Sequence, residues 1–213
     1  MEKVSALMLT YLPIRINLAK RSIDCFLSQT YENKELIIIN TGGNAYFKKL
    51  DDYINSIEVN NIKHIYINRS NKTLGDLRNI SVKNATGEYL CTWDDDDFFS
   101  RQRLQYQAHF MKHLNLDMCM FSNFVLQVNE KKYVVSYGRG FEPSLMFKKC
   151  EINYPSVNKH EDVIFIDNLC KAGKKGFVID NDCNDYFYNF VGTNVSEYGH
   201  FMNILKNHKN KKL

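Results

Sequence analysis

The chain opens with an apolar run, Val4–Thr10, closed by Pro13, and then changes period. Ile16, Ala19, Ile23, Phe26 and Leu27 recur at helical spacing, so a buried strand is followed by a helix over Ile14–Gln29. The rhythm repeats. Lys34–Asn40 reads as a second buried strand ending at the turn signal Thr41-Gly42-Gly43, and Tyr46–Ile57 reads as a helix. Ile62–Asn68 is a third strand, Leu74–Asn84 a helix stopped at Thr86-Gly87, and Tyr89–Trp93 a fourth strand. This alternation predicts a parallel sheet covered by helices on both faces.

The rhythm tightens after a helix over Arg101–Leu114. Strand-like runs follow closely at Met118–Phe121, Phe124–Val128, Lys132–Tyr137 and Ser144–Phe147, predicting an antiparallel or mixed extension of the sheet. A helix over Glu161–Ala172 and late strands at Phe177–Ile179 and Asp185–Phe190 complete the pattern. Lys206 to Leu213 is rich in Lys and Asn with almost no apolar content, and reads as a frayed, flexible basic tail. With no linker and no internal repeat, the reading is one α/β domain over residues 1–205, followed by the tail 206–213.

Composition narrows the class. Of 213 residues, 44% are hydrophobic and 24% charged, a globular balance that argues against disorder. The net charge of +4 is too mild to indicate nucleic-acid binding. No apolar run approaches the ~20 residues that cross a bilayer, and the opening Met1-Glu2-Lys3-Val4 reads as going straight into a strand, so no signal peptide is expected. The six cysteines (Cys25, Cys91, Cys119, Cys150, Cys170 and Cys183) show no C-x-x-C or zinc-like spacing, and read as reduced thiols of a cytoplasmic protein.

The strongest chemical feature is Trp93-Asp94-Asp95-Asp96-Asp97-Phe98. Four successive carboxylates repel one another, yet they follow a predicted strand, where open α/β sheets bind ligands. Such oxygens suit Mg2+ or Mn2+ bridging to substrate phosphates. The bland alternative is a solvated turn capping the next helix, against which the apolar neighbours Tyr89, Leu90, Trp93, Phe98 and Phe99 argue. A second feature, Leu74-Gly75-Asp76-Leu77-Arg78-Asn79, places an Arg near a helix start, where its planar fork could meet a phosphate or carboxylate; an exposed helical Arg is the plainer reading. A third, Lys159-His160-Glu161-Asp162, opens a predicted helix. Acids there are expected for the helix dipole, and a general base is the sharper reading.

These pieces together resemble a family 2 glycosyltransferase with the GT-A (nucleotide-diphospho-sugar transferase) fold. The resemblance runs from about Val4 to Ser196. It rests on Val4–Tyr11, Ser28-Gln29-Thr30-Tyr31, Glu35–Gly43, Leu74–Asn79, Ala85-Thr86-Gly87-Glu88-Tyr89, the acidic Trp93–Phe98 segment and Glu161-Asp162, in that order. It implies a mixed, mostly parallel sheet flanked by helices. Residues 1–114 would form the nucleotide-sugar half, and 115–205 the acceptor half. Thr10 and Tyr11 would line the base pocket, and Arg78 would approach the base or diphosphate. Asp94 would face the ribose, Asp96 would hold Mn2+ or Mg2+, and Asp95 or Asp97 would support the site. Asp162 would be the general base, with Glu161 orienting substrate. The implied reaction is metal-dependent transfer of a sugar, with inversion, to an acceptor hydroxyl on a glycan or glycolipid.

Two departures stand out. The family usually carries an acid where this chain has Asn40. An amide satisfies uracil but admits thymine or cytosine better than a carboxylate does, so UDP stays the leading expectation. A late H-G-x-N element is matched by Val191-Gly192-Thr193-Asn194, with Val in place of a metal-binding His. His200 or water would then complete the metal shell, or the metal would bind more weakly. Among the remaining features, Phe98, Phe99, Tyr186, Phe187, Tyr188 and Phe190 read mainly as core, and His109 and His113 as exposed. The basic tail leaves peripheral membrane contact open. Three other readings remain: a nucleotidyltransferase, disfavoured because Tyr11-Leu12-Pro13-Ile14 is not a Gly-rich loop; a degenerate binding domain; and a transferase acting on protein or modified DNA.

Overall fold

A computed structural model describes residues 1–182, 185–190, 192, 194 and 198–212. Its strands are β1 (Val4–Thr10), β2 (Lys34–Asn40), β3 (Ile62–Tyr66), β4 (Tyr89–Thr92), β5 (Phe98–Phe99), β6 (Met118–Phe121), β7 (Asn123–Val128), β8 (Lys131–Ser136), β9 (Met146–Lys148), β10 (Gly176–Ile179), β11 (Tyr186–Asn189) and β12 (Lys209–Lys212). Its helices are α1 (Ile16–Leu27), α2 (Asn44–Ser56), α3 (Leu74–Asn84), α4 (Arg103–His113), α5 (Glu161–Lys171) and α6 (Tyr198–Asn207).

Seven strands form the main sheet in the order β10-β6-β9-β4-β1-β2-β3. β4, β1, β2 and β3 run parallel, as the alternation of strands and helices predicts. β9 then inserts antiparallel between β4 and β6, and β10 pairs parallel with β6. The central strands are buried on both faces, which is why they read as unbroken apolar runs. Ala6, Met8, Leu36 and Ile38 face one core layer, and Leu7, Ile37 and Ile39 face the other. Burying each such Leu or Ile contributes about 1.5–3 kcal/mol.

A second sheet of five strands, ordered β12-β8-β7-β11-β5, packs beside the first. Here the sequence reading needs correction. The chain beyond Lys206 is not a free tail: α6 runs to Asn207, and Lys209–Lys212 pairs antiparallel with Tyr133–Ser136 of β8. Backbone hydrogen bonds build this strand, so no apolar side-chain pattern announced it. The predicted helix at Ile14 is also divided. Pro13–Arg15 forms a 3-10 turn before α1, which drops Arg15 into the interior. Cys25, Cys91 and Cys119 are buried, Cys150 is half-buried and Cys170 is exposed; all five are free thiols. Cys183 lies outside the described residues. Among the described residues, no helix is long and apolar enough to cross a membrane.

Candidate functional site

The acidic turn joins β4 to β5, outside the C-terminal ends of the parallel strands, and its backbone is clamped. Ser22 Oγ donates to the Asp94 carbonyl (2.9 Å), while an Arg21 guanidinium nitrogen (2.8 Å) and Asn189 Nδ2 (3.2 Å) both donate to that of Asp96. Trp93 is fully buried and donates its indole N–H to the Ser22 carbonyl at 3.1 Å. Held this way, the four carboxylates diverge. Asp97 turns into the core, where the Tyr186 hydroxyl (2.6 Å) and the Asn189 N–H (3.1 Å) donate to it. Burial, then the charges of Asp96 and Asp94, push its pKa up. Asp97 therefore anchors the turn.

Asp94, Asp95 and Asp96 line a cavity of about 690 Å³. Arg15 sits between the last two, 2.6 Å from one Asp95 oxygen and in direct contact with an Asp96 oxygen. Burial raises the pKa of both carboxyls, and the Arg15 charge opposes that rise without cancelling it. For Arg15 itself, burial alone would lower the pKa, but Asp95 and Asp96 more than offset it. Asn194 Nδ2 also donates to Asp96, at 2.7 Å. Thr10 donates its single hydroxyl proton to Asp95 at 2.6 Å, so it must accept from the Tyr46 hydroxyl, also 2.6 Å away. Thr10 is thus a buried prop. Tyr11 reaches the cavity wall, with the guanidinium groups of Arg69 and Arg15 at 5.5 and 6.0 Å from its ring centre.

The opposite wall is built by α3 and α5. Five of the six residues of Leu74–Asn79 hold α3 against the α5 side of the cavity through polar contacts. Thr73 and Asp76 form a reciprocal capping box, and Ser156 Oγ donates to Asp76 at 2.6 Å. The Leu74 N–H bonds the Asn158 side chain (3.1 Å), and the Gly75 N–H bonds the Val157 carbonyl (3.1 Å). Asn79 exchanges two hydrogen bonds with the Tyr154 backbone, at 2.9 and 2.8 Å. This docking carries Arg78 across to Glu161, 2.9 Å from its Nε, with Asp94 3.9 Å from a terminal nitrogen. Burial works against the Arg78 charge, but Asp94 and Glu161 outweigh it and push its pKa above the usual arginine range. Glu161 is buried and serves as the strut for Arg78. Asp162, the next residue, lines the cavity at the first turn of α5, and its carboxylate accepts from the Val163 N–H at 2.8 Å.

The remaining expectations are placed as follows. Asn40 is fully buried and is not part of the cavity wall. Its oxygen accepts from the Gly42 N–H (2.9 Å), and its amide nitrogen lies 3.1 Å from His64 Nε2, whose Nδ1 is 3.1 Å from Asp51. His200 lies on the α6 side of the cavity, where burial lowers its pKa and Asp162 partly opposes this. Val191 lies outside the described residues. Among the described residues, no group of three or more His, Cys, Asp or Glu is arranged to hold a metal ion. Two carboxylates with substrate phosphates are enough for Mg2+ or Mn2+. Asp94 and Asp96 could serve such an ion, since both are hard oxygen donors on the cavity wall, with Asp96 also contacting Arg15 and accepting from Asn194. Arg15 is the participant that sequence reasoning missed; its only signal was a place in the loop beyond the first strand.

Comparison with known proteins follows the same lines. The family model described as Glycosyl transferase family 2 matches residues 5–171. An uncharacterized glycosyltransferase of Rickettsia felis is 33% identical over 161 residues, covering 73% of this chain and 25% of that protein. This chain therefore spans about a quarter of the length of that Rickettsia relative. WfaP of Escherichia coli, named a UDP-Glc:alpha-D-GlcNAc-diphosphoundecaprenol beta-1,3-glucosyltransferase, is 26% identical over 172 residues, 72% of this chain and 65% of WfaP. The crystal structure of S. aureus TarS 1-349 in complex with UDP superposes with a TM-score of 0.69 at 16% identity, covering 95% of this chain and 69% of that one.

Proposed function

Because the chain belongs to glycosyltransferase family 2, we propose that it moves a sugar from a nucleoside-diphosphate donor to an acceptor hydroxyl, with inversion at the anomeric carbon. The observation that carries this reading is the single cavity onto which Asp94, Asp96, Arg78, Arg15 and Asp162 all open. It joins a cation-lined phosphate site to a carboxylate able to act as base. Asp94 and Asp96 would hold Mn2+ or Mg2+, which when bound neutralises charge on the diphosphate.

The chain's own residues do the rest. Arg78, fixed by Glu161, presents guanidinium N–H groups to the leaving diphosphate, and its charge stabilises the negative charge that develops there. Asp162 accepts the acceptor's hydroxyl proton as the new C–O bond forms and the bond to the phosphate oxygen breaks. Arg15 keeps the two buried carboxylates in register, and Tyr11 offers a ring face to the donor. TarS is solved with UDP and WfaP is named for UDP-Glc, so UDP-sugars are the first donors to test. WfaP's diphosphoundecaprenol-linked acceptor makes a lipid-linked glycan the first acceptor class. Five free thiols fit a reducing compartment, so we place the reaction in the cytoplasm.

Thermal shift with nucleotides and nucleotide sugars, with and without Mn2+, tests the donor half. Saturation at 100 Kd adds about 2.7 kcal/mol to wild type, and Asp96→Ala loses the Mn2+-dependent part. With the donor so identified, Asp162→Asn keeps nucleotide affinity and loses transfer by about 10²–10⁴-fold. Wild-type transfer by Asp162→Asn removes Asp162 as base, and no shift with any nucleotide refutes the donor site.

A further inference from the structure

The second sheet turns one face into the core; its other face is exposed at its two ends and covered in the middle, where Val125 is fully buried. Phe124, Leu126 and Val135 face inward. On the outer face a row of side chains crosses all five strands, because residues directly opposite on paired strands share a face. Lys211 lies opposite Val134, Val134 opposite Val125, Val125 opposite Phe187, and Phe187 opposite Phe98. Strand alternation adds Lys209 beside Lys211 and Lys132 beside Val134 on that same face.

The row is polarised. At the β5 end Phe98 is 41% exposed and meets Phe187 edge to face, with ring centres 5.5 Å apart. At the β12 end Lys132, Lys209 and Lys211 are exposed, and the adjoining Lys131 and Lys212, also exposed, alternate to the opposite side of the same edge. The Lys132 amine stands 6.0 Å from the Phe187 ring centre. Among the described residues, no ion pair takes in any of these five lysines. Glu130 lies in the turn before β8, and Asp180 is bonded to Asn123 at the other end of the strand pair.

We propose that this face docks the protein on an anionic lipid bilayer, with the β8–β12 lysines against the headgroups and Phe98 and Phe187 at headgroup depth. Lysines close to an anionic leaflet are attracted to it, and aromatic rings settle where apolar and wet regions meet. A nucleic-acid strand fits the face less well. The two rings pack against each other and leave no parallel platform for bases, and the lysines gather at one edge instead of tracking a groove. The face also adjoins the site, since Phe98 directly follows Asp97. The inference rests on these surface residues and is independent of the transfer reaction.

The test is co-sedimentation with vesicles of phosphatidylcholine alone or with about 30 mol% phosphatidylglycerol. The expected result is at least about tenfold tighter binding to the anionic vesicles, abolished by about 0.5 M NaCl. The triple variant Lys132→Glu, Lys209→Glu, Lys211→Glu should fall to the neutral-vesicle level while melting like wild type. Phe98→Ser should weaken anionic binding a few-fold and leave its salt dependence in place. Equal binding to both vesicle types, no binding to either at low salt, or a folded triple variant that pellets like wild type would each overturn the proposal. Tighter binding to single-stranded DNA than to anionic vesicles at the same salt would overturn it in favour of a nucleic-acid partner.

Discussion

Arg15→Met is the sharpest perturbation of the site. Methionine keeps much of the side-chain volume and removes the charge. In the wild type the guanidinium lies against Asp95 and Asp96, with all three side chains at most 9% exposed. Taking one partner out of a buried ion pair leaves uncompensated charge and costs about 3–5 kcal/mol. A chain of this size loses roughly 2–4 °C of Tm per kcal/mol, so the expected drop is about 6–20 °C. The assay is thermal melting followed by circular dichroism, in chelator and without nucleotide. Asp96→Asn in the Arg15→Met background should recover part of the loss, giving a coupling energy above about 0.5 kcal/mol in a double-mutant cycle. If Arg15→Met melts within about 2 °C of wild type, Arg15 is not the counter-charge of the acidic turn. The account of the turn would then have to rest on its backbone clamps alone.

Gly75→Ala places a Cβ 1.8 Å from the Pro155 carbonyl oxygen, so α3 must back away. Overpacking of this kind costs about 1–3 kcal/mol, and the Tm loss should come with weaker nucleotide binding as Arg78 shifts relative to Asp94. Tyr186→Phe removes the hydroxyl that donates to Asp97, and should cost about 1–3 kcal/mol in denaturant unfolding. Glu35 sets an acid limit. Burial alone would raise its pKa, but hydrogen bonds from Ser5, Lys3 and Thr86 hold it down at about 2, from 4.5. A depressed carboxyl stabilises the fold above its unfolded pKa, and that stability drains away as pH falls from 4.5 towards about 2. Glu35→Gln should therefore cost about 1–3 kcal/mol at pH 7 and almost nothing near pH 2. A stability difference that does not change with pH would refute the assignment.

Much of the frame was legible because it is written in burial. Strands covered on both faces must be continuous apolar runs, so β1, β2 and β4 could be read directly. The acidic turn drew attention because four adjacent carboxylates repel one another, and three of them line the cavity. Arg15 was hidden by its neighbourhood: between Pro13 and an amphipathic helix, an arginine looks like a solvated first-turn residue. Only the 3-10 turn at Pro13–Arg15 brings it inward. Asn40 shows the reverse, a position read from the chain as lining the nucleotide pocket that the fold buries against Gly42 and His64. The strand at Lys209–Lys212 left no trace, because a pairing made through backbone groups needs no apolar period.

The place of β9 governs the order in which this chain can fold. Its residues 146–148 fill the gap between β4 and β6, yet they leave the ribosome more than fifty residues after β4. Until they arrive, Tyr89–Cys91, apolar and destined for full burial, is an open strand edge able to recruit another chain. The stretches before and after residue 114 are therefore not separable folding units. A fragment ending near residue 114 would hold the complete acidic turn and still lack the strand that closes the sheet behind it. A non-local pairing of this kind is slow to form, and expression of such a fragment should yield aggregate, whereas a chain extended past residue 148 gains the strand that seals the edge.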